Sequence, residues 1–409
     1  MNKFLLALLI VFSSARTEAQ EWPIADAGPA SLSSTFGPRL GRSFHGGIDI
    51  PAINETTVVA TRGGIVTAVG YSSTLGYYVV VSNQDVYGHL SMQAFDEEDV
   101  AAQVDVGQGE PIGLSGNSGP VNTSYHLHLQ DGGIIVGVTS VSPLRYLPYT
   151  PVAPTVRGFS IEKSVIRDAM LITSGTVRLN AYTSAVSRDL DLVVFDVLPT
   201  LPGFPMRFDY SSPAMHDGVE DSDDPLRRIG GDWFAETQSP GQPTLVNFYY
   251  TYDTRRANGD LYPLRVCLSN AKGAESCSTY NWLIDNNAPI ISVTDNSGNI
   301  INSGQKINAQ KITIFVNDGS GNVSQPGKLE VFDGDPENGG NLLASNDNDF
   351  NNAHSYTSND SGLVILGDLP EGTVFIRAHD QAGNWSSVDF DFSSVVSVHT
   401  FFNHTSIRI

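Results

Sequence analysis

Positive charge is what this chain has least of: 23 lysines and arginines stand against 44 aspartates and glutamates in 409 residues, a formal net charge of −21. That balance excludes nucleic acid as a partner, because its binders present basic patches. It also disfavours recruitment to an anionic cell wall by bulk charge, and it serves solubility. Long apolar runs are missing too. The one near the start, Phe4 to Phe12, is too short to span a bilayer, and no later run replaces it, so no transmembrane segment is expected. Cysteine is nearly absent, with two residues in all, and neither sits where a lipid anchor is attached. There is no His-Glu-x-x-His, so no helical glutamate base of that kind is available. Long helical periodicity is almost wholly lacking.

What the chain does have is glycine (39 residues) and proline (22), set among many Thr, Val, Ser and Asn, a composition of short strands and turns. With 40% hydrophobic residues it can build real cores, and its length suggests two to four domains. The expected fold class is all-β. Residues 1–19 read as a signal peptide: Lys3 gives a positive start, the apolar run follows, and Thr17-Glu18-Ala19 offers small residues for cleavage. Export to the periplasm or the extracellular medium is the expectation. In such an oxidising compartment Cys267 and Cys277 can bridge. They flank a turn near Lys272-Gly273 symmetrically, which would set them opposite each other across a hairpin. So small a loop predicts about 2–3 kcal/mol of stabilisation in the chain-entropy model.

Residues 20–147 form the first unit, with β runs such as Gly64–Val69 and Tyr77–Val81 between glycine-rich turns. Pro143, Pro148, Pro151 and Pro154 then cluster, and residues 148–156 read as a stiff linker. Two β-sandwich domains are expected next, 157–285 and 286–397, followed by a tail, 398–409. A faint repeat supports the pair: Leu264–Gly273 and Phe375–Asn384 are each a β run closed by a polar-glycine turn. Asp285-Asn286-Asn287-Ala288-Pro289 marks the boundary between them. That boundary and Asp380-Gln381-Ala382-Gly383-Asn384 resemble bacterial immunoglobulin-like modules, for which the sequence names no partner. The acidic clusters Glu220–Asp224 and Asp333–Asn338 lack the ordered spacing of a calcium loop and read as solvated loops.

Four of the nine histidines crowd into the first unit: His45, His89, His126 and His128. In His126-Leu127-His128 the i, i+2 spacing sets both imidazoles on one strand face, about 6.5–7 Å apart, with Leu127 and Leu129 turned the other way. One can bind a metal while the other reaches its water. His45 and Asp49 would stand about 13 Å apart on a straight strand and converge only through a bend, which Gly46-Gly47 permits. Two imidazoles and a carboxylate suit a divalent metal that keeps an open position for water. The same set could serve iron in an oxygenase, a reading that export and the extra histidines disfavour. The remaining histidines are candidates to move a proton and steady an oxyanion.

These residues lie within a wider pattern. Ser34-Thr35-Phe36-Gly37-Pro38-Arg39, then His45-x-Gly-x-Asp49, Tyr87-Gly88-His89-Leu90-Ser91, Ile112–Gly119 and His126-Leu127-His128 together resemble the lysostaphin/LytM-type zinc metallopeptidases. That family hydrolyses peptides of bacterial peptidoglycan. The resemblance covers about residues 32 to 145 and implies a LytM-type β-sheet peptidase domain. It implies one Zn2+ held by His45, Asp49 and His128, with His89 and His126 as the catalytic pair. Arg39 and Tyr125 are candidate substrate-binding residues. Tyr125 stands where the family has proline, Gln130 where it has glutamate, and the stretch from Ser82 to Tyr87 is short, which bears on groove shape. The expected function is an exported zinc endopeptidase acting on peptidoglycan, followed by two sandwich modules. The alternatives are a non-catalytic wall-binding or amidase-activating protein of the same fold, and an endopeptidase on glycine-rich proteins.

Overall fold

The computed structural model describes residues 20–39, 42–119, 124–133, 140–183, 188–210, 227–230, 233–237, 245–257, 259–295, 297–308, 311–317, 326–347, 362–369, 371–393 and 396–403. The expected signal peptide, residues 1–19, and the acidic cluster Glu220–Asp224 lie outside them. Nearly all the regular structure is strand.

The first unit is built from β1 (Gly37–Arg39), β2 (Arg42–His45), β3 (Gly47–Pro51), β4 (Thr57–Val59), β5 (Gly64–Ser72), β6 (Gly76–Val81) and β7 (Asp85–Gln93). The short helix α1 (Glu97–Ala102) follows, then β8 (Asp105–Val106), β9 (Pro111–Ser115) and β10 (His126–Asp131). Asp96 caps α1 by accepting from the amides of Glu98 and Asp99. The main sheet runs β3-β10-β7-β6-β5-β8, with β4 and β9 paired beside β7. The last strand in sequence thus lies between two earlier ones, and His128 is flanked by Asp49 on one side and Gly88 on the other. Alternation along β10 sends Leu127 and Leu129 into the core with Ile48, Ile50, Tyr87 and Leu90. His126, His128 and Gln130 take the opposite face.

The second unit has β11 (Gly158–Ile161), β12 (Val165–Arg167), β13 (Met170–Thr173), β14 (Thr176–Tyr182), β15 (Leu190–Val197) and β16 (Met206–Asp209). It continues with β17 (Arg227–Gly230), β18 (Trp233–Thr237), β19 (Leu245–Asp253), β20 (Asp260–Asn270) and β21 (Glu275–Ile284). Its described strands form two sheets, β11-β14-β19-β18-β17 and β12-β13-β21-β20-β15-β16. Phe195 of one stacks on Trp233 of the other at 5.2 Å between ring centroids, as sandwich packing requires. In the β20–β21 hairpin Cys267 faces Cys277, and the two form a disulfide across a turn that Gly273 closes at φ +78°.

The proline-rich segment 148–156 is anchored along its length. Trp22 Nε1 donates to Pro148 O at 2.7 Å, Asn270 Nδ2 to Val152 O at 3.1 Å, and Ser276 Oγ to Pro154 O. One continuous apolar cluster runs through the first and second units, whereas the third has its own, built on Ile312, Ile314, Val331, Ile376 and Phe390. That third unit stacks two five-stranded sheets among the described residues. Its strand Val396–Asn403 runs through residue 398, where the sequence places the start of a tail. Val396, Val398, Thr400, Phe401 and Phe402 are strand formers. The strand pairs in parallel with Lys311–Asn317 and antiparallel with Gly362–Leu369. No helix among the described residues is long and apolar enough to cross a membrane.

Candidate metal centre

Sheet order brings the four histidines together. His45 ends β2, the chain turns at Gly46, and Asp49 follows on β3; β10 beside it carries His126 and His128, and β7 beyond carries His89. The close approach depends on Gly47, where an added Cβ would overlap the carbonyl of Leu129 and meet the His128 ring at 2.9 Å. His89 sits at φ +60°, a left-handed conformation uncommon for a residue with a Cβ, and its amide donates to Leu75 O at 2.6 Å.

Three donor atoms form a tight triangle. Asp49 Oδ1 lies 3.1 Å from His45 Nε2 and 3.0 Å from His128 Nδ1, and those two nitrogens are 3.1 Å apart. Tetrahedral zinc with bonds of about 2 Å sets its ligands roughly 3.3 Å from one another. His126 Nε2 lies 3.7 Å from the same carboxylate oxygen, and its ring centroid is 4.6 Å from that of His89. All four imidazoles are buried.

The hydrogen bonds on the far side of each ring fix which nitrogen faces the centre. Nδ1–H of His45 donates to Thr35 O at 2.8 Å, that of His89 to Ser118 O at 2.8 Å, and that of His126 to Ser124 O at 2.6 Å. His128 is turned the other way, with Nε2–H donating to Gln130 Oε1 at 3.3 Å. In this tautomer set every ring turns a lone pair inward. Acceptors 3.0–3.1 Å apart with no hydrogen between them repel unless a cation lies among them. The donor set therefore fits a divalent metal ion.

Burial alone would raise the Asp49 carboxyl, but positive charge and donated hydrogen bonds from His45 and His128, when those rings are protonated, outweigh it and hold it well below the usual carboxylate range, so Asp49 is ionised. Burial lowers His89 to about 4, with further lowering from His126 and His128, so this ring is neutral near pH 7.

Of the remaining candidates, Tyr125 is 47% exposed just before β10, with its carbonyl accepting from Ala52 N. Arg39 falls in β1, but its side chain lies outside the described residues. Among the described residues one further group has ligand atoms close enough for a cation, Cys267, Glu275 and Cys277, and its two sulfurs are already joined. Gln130 is the residue whose role motif reading passes over. Its place two residues beyond His128, on the same strand face, is the signal that finds it. The carbonyls of Thr35, Ser118 and Ser124 leave no such trace, because any residue supplies one.

Comparison with known proteins bears on this region. Residues 43–132 match the model of peptidase family M23. Among solved structures, the chain is similar to a peptidase M23 from Pseudomonas aeruginosa at 22% identity, covering 30% of this chain and 52% of that one, with a TM-score of 0.21. It is similar to LytU at 26% identity, covering 28% and 82%, with a TM-score of 0.23. It is similar to Csd3 of Helicobacter pylori at 22% identity, covering 32% and 35%, with a TM-score of 0.25. The chain thus spans about half the length of the first of these and about a third of the last.

Proposed function

From the peptidase family M23 domain that residues 43–132 carry, we propose that this protein is an exported zinc metalloendopeptidase that hydrolyses peptide bonds of bacterial peptidoglycan. One observation carries the reading: His45 Nε2, His128 Nδ1 and Asp49 Oδ1 converge within 3.1 Å of one another, with the far ring nitrogens of all four histidines already bonded to oxygen. His45, Asp49 and His128 would hold the ion. Zinc, when bound, supplies Lewis acidity that polarises a carbonyl and makes water a nucleophile at neutral pH.

The chain's own residues do the rest. His89 and His126 take up the proton of the attacking water through their inward nitrogens and return it to the leaving amine as the C–N bond breaks. Between those steps a protonated imidazole donates to the tetrahedral oxyanion. Neutral His89 begins the cycle as an acceptor. Gln130 keeps His128 in the tautomer that presents Nδ1. The signal-like residues 1–19 and the Cys267–Cys277 disulfide support export to the periplasm or the medium.

The test is mass spectrometry of purified peptidoglycan fragments, and separately of a glycine-rich protein, after incubation with the zinc-loaded protein with and without chelator. Chelator-sensitive cleavage of wall peptides is the expected result. Cleavage confined to the glycine-rich protein would move the substrate class. Wall binding without any cleavage would make this a non-catalytic relative.

A further inference from the structure

The segment Ser33–Thr35 is bonded to two of the three proposed ligands. Thr35 O accepts from the His45 ring, Ser34 Oγ lies 3.2 Å from the same Nδ1, and the backbones of Ser33 and Ser34 exchange hydrogen bonds of 3.0 Å with Asp49. Both flanks of this segment are held by the second unit. At one end the Arg188 guanidinium donates to the carbonyl of Leu32, which is fully buried. At the other, the buried ring of Tyr210 packs against Gly37, its Cδ1–Cε1 edge so close that an added Cβ would overlap it. Gly37, at φ +112°, is the residue paired with His45 across β1 and β2. Tyr210 is itself fixed, its amide donating to Asp191 O at 3.0 Å, while Asp191 pairs with Arg145 of the first unit at 2.8 Å.

We infer that the second unit is a working part of the metal centre, with Arg188 and Tyr210 acting as positioning residues that clamp residues 32–37 and thereby orient His45 and Asp49. The inference rests on the proposed zinc site but reaches outside the peptidase domain. A carbonyl that drifts from the His45 ring loosens both its tautomer and its aim. Outer partners of this kind are worth about 10–100-fold in metal affinity.

The experiment measures the zinc dissociation constant of the full chain by chelator competition, without substrate. Arg188→Ala and Tyr210→Ala should each weaken zinc binding about tenfold or more. Tyr210→Phe, which keeps the ring, should restore wild-type affinity. Arg188 is only partly buried, so Arg188→Ala keeps the test open if Tyr210→Ala fails to fold. Wild-type affinity in folded Arg188→Ala would overturn the clamp, and so would equal weakening by Tyr210→Phe and Tyr210→Ala. A wild-type protein that binds zinc but cleaves nothing would sink the peptidase reading and leave the clamp standing; one without zinc affinity would sink both.

Discussion

A buried amide decides which face of the His128 ring, a proposed ligand, is presented. Gln130 is fully buried, accepts from His128 Nε2–H, and is itself held by its Nε2 donating to Gly133 O. Gln130→Ala should therefore cost zinc affinity by about 10–100-fold, with Gln130→Glu, which keeps the acceptor, losing less. Chelator competition measures both, and equal affinity for all three proteins would remove Gln130 from the site. The two histidines of β10 make a sharper contrast. His128→Ala should lose the ion and with it all turnover. His126→Ala should keep stoichiometric zinc by elemental analysis yet cleave nothing, and zinc loss in that variant would reverse the division of roles. The spacing of these three side chains was legible, since i, i+2 and i+4 share a strand face. The caps on His45, His89 and His126 were not, because they are main-chain oxygens, which any residue supplies.

Strands were readable from β-branched runs such as Tyr77–Val81, but their neighbours were not. Nothing local in His126–Asp131 says that it inserts between β3 and β7. Side chains at the end of that strand help to hold it there. Arg62 bonds Asp85 through Nε at 2.8 Å and lies 3.3 Å from Asp131, while its guanidinium stacks on the Tyr146 ring at 4.0 Å. Tyr146 in turn donates to Asp85 at 3.2 Å. Arg62→Met would leave the nearly fully buried Asp85 and Asp131 facing each other with no cation between them. The expected loss is about 3 kcal/mol of stability in the first unfolding transition in urea, since removing one partner of a buried pair is costly. A midpoint unmoved by the substitution would mean that Arg62 does not stabilise the pair.

At the scale of the molecule, the seam between second and third units carries its own pH dependence. Ser174 Oγ donates to Ala382 O at 2.7 Å, and Asn384 Nδ2 to Asp285 O at 2.8 Å. Beside them burial, reinforced by Asp285, pushes Asp380 up to about 7. The folded chain thus holds a proton there that the unfolded chain gives up near pH 4. The stabilisation is complete below that point and is lost as pH rises through about 7. Hydrogen exchange over Ile290–Asp295 should be slower at pH 5 than at pH 8 after correction for intrinsic rates, and Asp380→Asn should abolish the difference. A wild-type seam insensitive to pH would contradict this. The turn chemistry of Asp285–Pro289 was visible, whereas the apolar continuity of the first two units was not, because Tyr210 and Gly37 are far apart in sequence. Synthesis proceeds from the N terminus, and in the third unit the strand Val396–Asn403 must slide between partners made long before it. Until it arrives, Lys311–Asn317 and Gly362–Leu369 are open edges, and a ribosome halted short of residue 396 would release a sticky, half-closed module. The first two units, whose strands are all made by then, would already be finished.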